Sequence, residues 1–360
     1  MKSIFVTTSK ISAENQGDYI YSTQIYNALH QSSSIELFEF NQKNNYLAVL
    51  LFFFLPMMWI RNFSLLLIIK LIKERNCYES IYIDHYRCAW IVLIAKLINK
   101  KTFIFNHNLE STVYKSLSSS KDAPIFKRVF CFFEYIKVYL SELIVFRFVF
   151  GLSSISADDI PNWVRAVRAE LLVLPPYSKP PFSFQNISAK PAVIIIGSFH
   201  WRLKQHNLLI FLDAFYEVYK SNRKDCSVVI AGNAPRLFYT FVESHYPFVT
   251  IIDGFNDLSE LAGIATIGIC PDQAGGGFKL KTLDYFKLGL PMVAIDNGAS
   301  GLIEPVVPSY NSFQDLAKEA YSLLDDDKQR RNLLLEQSSY FLRHHSEDVF
   351  LGKIKTFIER

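Results

Sequence analysis

Three consecutive glycines, Gly275, Gly276 and Gly277, follow an apolar run that begins at Ile267 and precede a segment with helical spacing. Glycines in that place let a backbone come close to a ligand. The free N–H groups at a helix start then favour an anion, above all a phosphate. Lys281 and Asp284 are three residues apart, so on a helix they share a face. A cation beside phosphates and a carboxylate able to accept from ribose hydroxyls together suit a nucleoside diphosphate. Gly289 stands where a left-handed cap would end the helix, and Pro291 forbids its continuation. The alternative is a glycine loop ahead of a surface helix with incidental charges.

A second polar knot, Asn106-His107-Asn108-Leu109-Glu110, ends the run TFIFN. The carboxyl end of a parallel strand is the edge at which α/β sheets bind ligands, although His107 and Asn108 could equally cap the next helix. Asp84 and His85 end the run SIYID in the same way, and position alone puts them on an acceptor side. Gly17 and Asp18 follow the first apolar run and read either as a loop approaching a ligand or as an ordinary helix start. Asp325-Asp326-Asp327 reads as a solvated turn and helix start, so no metal site is expected. Five scattered cysteines without a CxxC spacing argue against a disulfide framework or a zinc site and fit a reducing compartment.

The elements that must position these residues alternate in type. Short apolar runs from Ile4, Ile35, Ser80, Thr102, Leu152 and Glu170 predict strands, with helical stretches between them. Residues 175–191 then hold five prolines and no helical period, which marks a linker. A second series of strands is predicted from Ala192, Cys226, Val249, Ile267 and Pro291. Strands alternating with crossover helices mean parallel sheets covered on both faces. The fold class is therefore α/β, with two Rossmann-like doubly wound domains facing each other across a cleft. The expected boundaries are 1–178 and 190–339, with a C-terminal helix, 340–360, packed on the first domain.

The stretch Gly277-Phe278-Lys279-Leu280-Lys281-Thr282-Leu283-Asp284, continuing to Gly289 and Pro291, resembles the donor motif G-x-K-x-K-x-x-E-x-x-x-x-G-x-P of family 4-like GT-B glycosyltransferases, the glycosyl transferases group 1. Asp284 replaces the family's ribose-binding glutamate, and Gly276 stands where many members carry another glutamate. Gly197-Ser-Phe-His-Trp-Arg202-Leu-Lys204 is similar to the family's turn after the first strand of the second domain. The resemblance implies Arg202 and Lys204 at the donor pyrophosphate, with Gly197 and Phe278 beside them and Gly254-Phe255 near the base. It further implies the Gly17 loop at the donor phosphates or the acceptor, with Asp18 on the acceptor side, His107 at the donor sugar with Glu110 nearby, and Asn108 on the acceptor side.

Composition bounds the partners. The 31 Phe and 19 Tyr supply ample core for two domains. Residues 1–185 carry 20 basic and 14 acidic side chains, and residues 186–360 carry 18 and 20. The basic residues are dispersed without an RNA-binding motif, so no nucleic acid is expected. Tyr46 to Ile60 is an uncharged apolar run interrupted by Pro56, too short to span a bilayer. Together with the run to Ile69 it reads as buried helices or as a face lying on lipid, with Trp59 and Phe52 to Phe54 at the headgroups. No apolar leader precedes these elements, which points to the cytoplasm, at the inner face of the cell membrane if the lipid-facing reading holds.

The expected activity is transfer of a sugar from a nucleotide diphosphate sugar to a glycan or lipid-linked glycan acceptor in surface polysaccharide or glycolipid synthesis. Resemblance implies retention of configuration and neither cofactor nor metal. The rival readings are an inverting transferase or epimerase of the same fold, and a sugar-binding scaffold with weak catalysis.

Overall fold

The computed structural model describes residues 2–11, 17–40, 46–119, 124–178, 191–222, 225–273 and 278–359. The chain divides into two compact units, Met1–Pro176 with Phe350–Arg360, and Tyr177–Val349.

The first unit holds strands β1 (Lys2–Thr7), β2 (Ile35–Glu39), β3 (Tyr78–Asp84), β4 (Lys101–Asn106), β5 (Gly151–Ser154) and β6 (Glu170–Val173). They form one parallel sheet in the order β2-β1-β3-β4-β5-β6. Its helices are α1 (Gly17–Ser32), α2 (Tyr46–Leu51), α3 (Met57–Arg61), α4 (Leu65–Lys73), α5 (Ile91–Leu97), α6 (Glu110–Ser119), α7 (Ile125–Val145) and α8 (Asn162–Arg165). Helices cover both faces of such a sheet, so β1 and β3 bury nearly every residue instead of alternating. Ile4, Val6, Ile81, Ile83 and Ile104 form the middle of the core.

The second unit holds β7 (Ala192–Ile196), β8 (Ser227–Gly232), β9 (Val249–Asp253), β10 (Ile267–Cys270), β11 (Met292–Ile295) and β12 (Ser309–Tyr310). Their order is β12-β11-β10-β7-β8-β9, again parallel, which is the Rossmann arrangement. The helices are α9 (Arg202–Asn222), α10 (Arg236–His245), α11 (Lys281–Lys287), α12 (Phe313–Leu323) and α13 (Asp327–His344). The last helix, α14 (Glu347–Glu359), belongs to the first unit from Phe350 onward. There Phe357 stacks edge-on against Phe103 and fills the space that a side chain at Gly151 would need.

All eleven strands anticipated from the sequence are present, and β12 is the addition. It has two residues and no apolar alternation by which it could be read. Most of the proline-rich linker, residues 179–190, lies outside the described residues. The long apolar run from Tyr46 does not form one helix: Pro56 opens α3 after a turn at 52–55. Proline has no N–H to continue a helix, so the break falls there. No helix among the described residues is long and apolar enough to cross a membrane.

Candidate active site

In the second sheet the strand order reverses between β7 and β10, and sheets of this kind bind ligands at the carboxyl ends beside such a reversal. Gly197 follows β7, Asp272 follows β10, and Lys281 opens α11. Lys281 Nζ lies 2.8 Å from Asp272 Oδ2, and both side chains are largely buried. A Cβ added to Gly197 would stand 3.6 Å from the same Nζ, so glycine here leaves room above the ammonium.

Two more lysines complete this cluster. Burial, and then the positive charge of Lys281, hold Lys204 below the ordinary lysine range. Burial does the same to Lys279, with Lys281 and Lys204 adding to it. Burial would lower Lys281 as well, but Cys270 and Asp272 outweigh it and raise this one ammonium. Asp272 is held down by Lys281 against the opposing effect of burial. Three cations to one carboxylate leave a net positive, water-poor site, which is the chemistry of an anion cradle. Asp284, one turn beyond Lys281, is pushed up to about 6 by burial, only partly countered by Lys287 and Lys281.

The other residues expected at the donor are placed as follows. Arg202 begins α9 and is exposed. Gly254 has φ +81 and donates its N–H to Gly232 O, and an added Cβ would meet the Asn233 side chain at 2.9 Å. Phe255 beside it is half-buried. Phe278 is buried against His345, with ring centroids 5.0 Å apart, so its ring serves packing within this unit. Gly275, Gly276 and Gly277 lie outside the described residues. The helix after them starts later than the glycines suggested, at Lys281, and its first turn has no side-chain cap. The positive charge at this edge therefore comes from lysines rather than from a long helix dipole.

In the first sheet the order reverses between β1 and β3, and Thr7 and Asp84 end those strands. Thr7 Oγ1 donates to Asp84 Oδ2 at 2.6 Å, and His107 Nε2 meets Asp84 Oδ1 at 2.8 Å. Burial would raise Asp84, but His85, His107 and these hydrogen bonds outweigh it and hold the carboxyl below the usual carboxylate range. An ionised carboxylate only accepts, so His107 Nε2 donates to Asp84 and the ring's Nδ1 is its other polar atom. That Nδ1 is buried without a partner among the described residues. The His107 ring stacks on His85 at 3.5 Å and takes the edge of Tyr21 at 4.8 Å. Burial and the neighbouring His107 push His85 well below the ordinary histidine range, and its Nε2 lies 3.0 Å from Ser9 Oγ. His85 keeps a left-handed φ of 68°, a strained backbone for a non-glycine residue.

Asp84 and His85, expected on the acceptor side, are both buried; Asp84 hydrogen-bonds His107 and the His85 ring stacks on it. The ligand atoms of Asp84, His85 and His107 lie within 4.8 Å of one another, close enough to surround a cation, but hydrogen bonds to Thr7, to Ser9 and between themselves already use most of them. Gly17 and Asp18 are the first residues of α1, and Asn108 is half-buried. Glu110 opens α6, with Arg87 Nε 3.9 Å from its carboxylate. Behind it Glu142 of α7 is fully buried, and its Oε1 accepts from Ser111 N at 3.1 Å. Burial pushes Glu142 up to about 8.

The structure thus brings Gly197, Lys204 and Lys281 together in one unit, and Asp84, His85 and His107 in the other. Three members of these clusters were missed: Lys279, Asp272 and Thr7. Lys279 stood inside the motif already quoted. Nothing in the spacing of the other two distinguished them.

Residues 190–326 match the family described as glycosyl transferases group 1, a span that contains the whole lysine cluster. This is a glycosyltransferase domain. No curated protein sequence matches the chain. Among solved structures it is similar to Anabaena HepE in complex with UDP and glucose, at 14% identity and a TM-score of 0.67 over 100% of this chain and 99% of that one. A glycosyltransferase from Rickettsia africae matches at 13% identity and TM-score 0.63, over 100% and 99%. UGT71G1 of Medicago truncatula, complexed with UDP-glucose, matches at 11% and 0.56, over 99% and 97%. At such low identity these likenesses establish the fold: the two Rossmann-like domains are of the GT-B glycosyltransferase type.

Proposed function

We propose that the chain transfers a sugar from a uridine diphosphate sugar to a glycan or lipid-linked glycan acceptor, with retention at the anomeric carbon and without an essential metal or cofactor. The observation that carries this reading is the cluster of Lys204, Lys279 and Lys281 around Asp272 at the switch point of the second sheet. These cations hold the diphosphate and stabilise it as it departs. Asp284 accepts from the ribose hydroxyls, and Gly254-Phe255 lies toward the base. The uridine assignment is supported by HepE and UGT71G1, whose structures hold UDP or UDP-glucose.

His107 offers its Nδ1 lone pair to a sugar hydroxyl, oriented through Nε2 by Asp84. Glu110 positions the same sugar, and no covalent nucleophile is assigned. The lipid-linked acceptor is supported by an apolar face on the first unit. Phe52 to Phe54, Leu65, Leu66, Phe126 and Phe133 are all exposed there. A face of that size marks an interaction site, and we place it at the cytoplasmic surface of a membrane.

Thermal melting with UDP, GDP, CMP, ADP and their sugars tests the donor. UDP and one UDP-sugar raise the melting temperature of the natural chain and leave Lys281→Ala unmoved. A chain that no nucleotide stabilises would refute the donor site. Donor binding without transfer to any acceptor would favour the scaffold reading instead.

A further inference from the structure

The first unit contains a cavity of about 800 Å³ that the sugar-transfer chemistry does not use. It lies among β2, the turn at 52–55, α3, α4 and α5, with Phe40, Phe52, Trp59, Leu66, Trp90 and Ile94 in its walls. Glu39 and Arg61 apart, the polar side chains of this wall are occupied internally. Trp59 Nε1 donates to Tyr86 O at 3.3 Å, Trp90 Nε1 donates to Asn62 O at 3.1 Å, and Ser64 Oγ caps α4 by accepting from Leu67 N. What the wall presents to an occupant is hydrocarbon and ring surface. Trp59 had been expected at lipid headgroups; it is buried here instead, fixed by its bond to Tyr86.

The cavity is continuous with the exposed apolar face. Phe52, Leu65 and Leu66 line it and also protrude into solvent, Leu66 with 78% of its surface exposed. That face is held in position by polar contacts. Lys137 of α7 donates to Phe53 O at 3.0 Å and to Leu55 O at 3.2 Å, and buried Glu134 accepts from Met57 N at 2.9 Å. Exposed cations outnumber exposed acids around it: Arg61 and Glu39 both stand in the cavity lining, Lys73 and Arg75 are exposed near Glu79 in sequence, and Lys127 is exposed on α7, whose Glu134 and Glu142 are buried. An apolar hollow opening on an apolar face, with an excess of cations nearby, complements an anionic amphiphile.

We infer that this cavity takes one hydrocarbon chain of the anionic lipid that carries the acceptor. The inference rests on the membrane reading above and adds to it a defined chain-binding site. Trp59 and Trp90 report on it directly, because bromine on a lipid chain quenches indole emission only at close range. Trp163→Phe with Trp201→Phe leaves these two as the emitters.

Two probes are used with that variant: vesicles of phosphatidylglycerol brominated along its chains, and 11-bromoundecanoate below its micellar concentration. Both are expected to quench at least half of the emission, and unbrominated lipid to quench none. Ile94→Phe, which fills the cavity, is expected to keep vesicle binding in flotation and to lose most of the quenching by either probe. If that variant misfolds, quenching of the two-tryptophan chain decides alone. Flotation with vesicles but no quenching by either probe would overturn the cavity while leaving membrane contact standing. Quenching by the monomeric acid without flotation would support the cavity and refute the membrane face.

Discussion

At the residue scale the donor site makes its own pH dependence. Asp284 accepts far more strongly from a ribose hydroxyl when ionised, and burial pushes its pKa up to about 6. Donor affinity is therefore expected to fall about tenfold between pH 7.5 and pH 5, and calorimetric titration of UDP across that range measures it. Asp284→Asn should be weak at both values. Lys281→Ala should weaken UDP by about 2–5 kcal/mol, because it removes a desolvated cation and leaves Asp272 to its remaining neighbours. Glu142 acts on stability instead. Its folded pKa of about 8 lies above that of an unfolded glutamate, so the folded state holds a proton that the unfolded chain releases. Stability consequently falls as pH rises between about 4.5 and 8. Glu142→Gln should match the natural chain at pH 4 and exceed it by roughly 1–3 kcal/mol at pH 8 in urea unfolding.

Elements were legible where local chemistry alone decides them. Gly289 was read as a left-handed cap from Gly-x-Pro spacing, and it has φ +65 directly after α11. An added Cβ there meets no atom within 4 Å. Gly289→Ala should therefore cost about 1–2 kcal/mol of stability through backbone strain alone, with the surrounding packing unchanged, as a denaturant midpoint would show. Buried parallel strands were legible too, because covered sheets need continuous apolar runs. The start of α11 was not, since glycines announce a turn without fixing where the helix begins. Nor was the burial of Trp59: an apolar run does not say which of its residues face inward.

For the whole molecule, the candidate sites were legible in their motif residues and not in their partners. Thr7 and Asp84 end two strands and His107 follows a third; the adjacency of these strands is a property of sheet order, and no local spacing encodes it. Asp272 was hidden for another reason: it meets Lys281 from nine residues away, a separation that no helical or strand period reads. The exposed apolar face has a testable cost profile. Phe53→Ser combined with Phe126→Ser removes side chains that are 71% and 74% exposed, so the melting temperature should hold while flotation with anionic vesicles is lost. A fall in both together would mean the residues are core.

The socket beside Gly151 has a consequence for how the protein is made. Phe357 fills it, and Phe357 is synthesised some two hundred residues after the strand it completes. The unit translated first therefore cannot close its core until the other has been made in full. Its unfinished edge, with Phe103 bare, stays open throughout the interval on the ribosome.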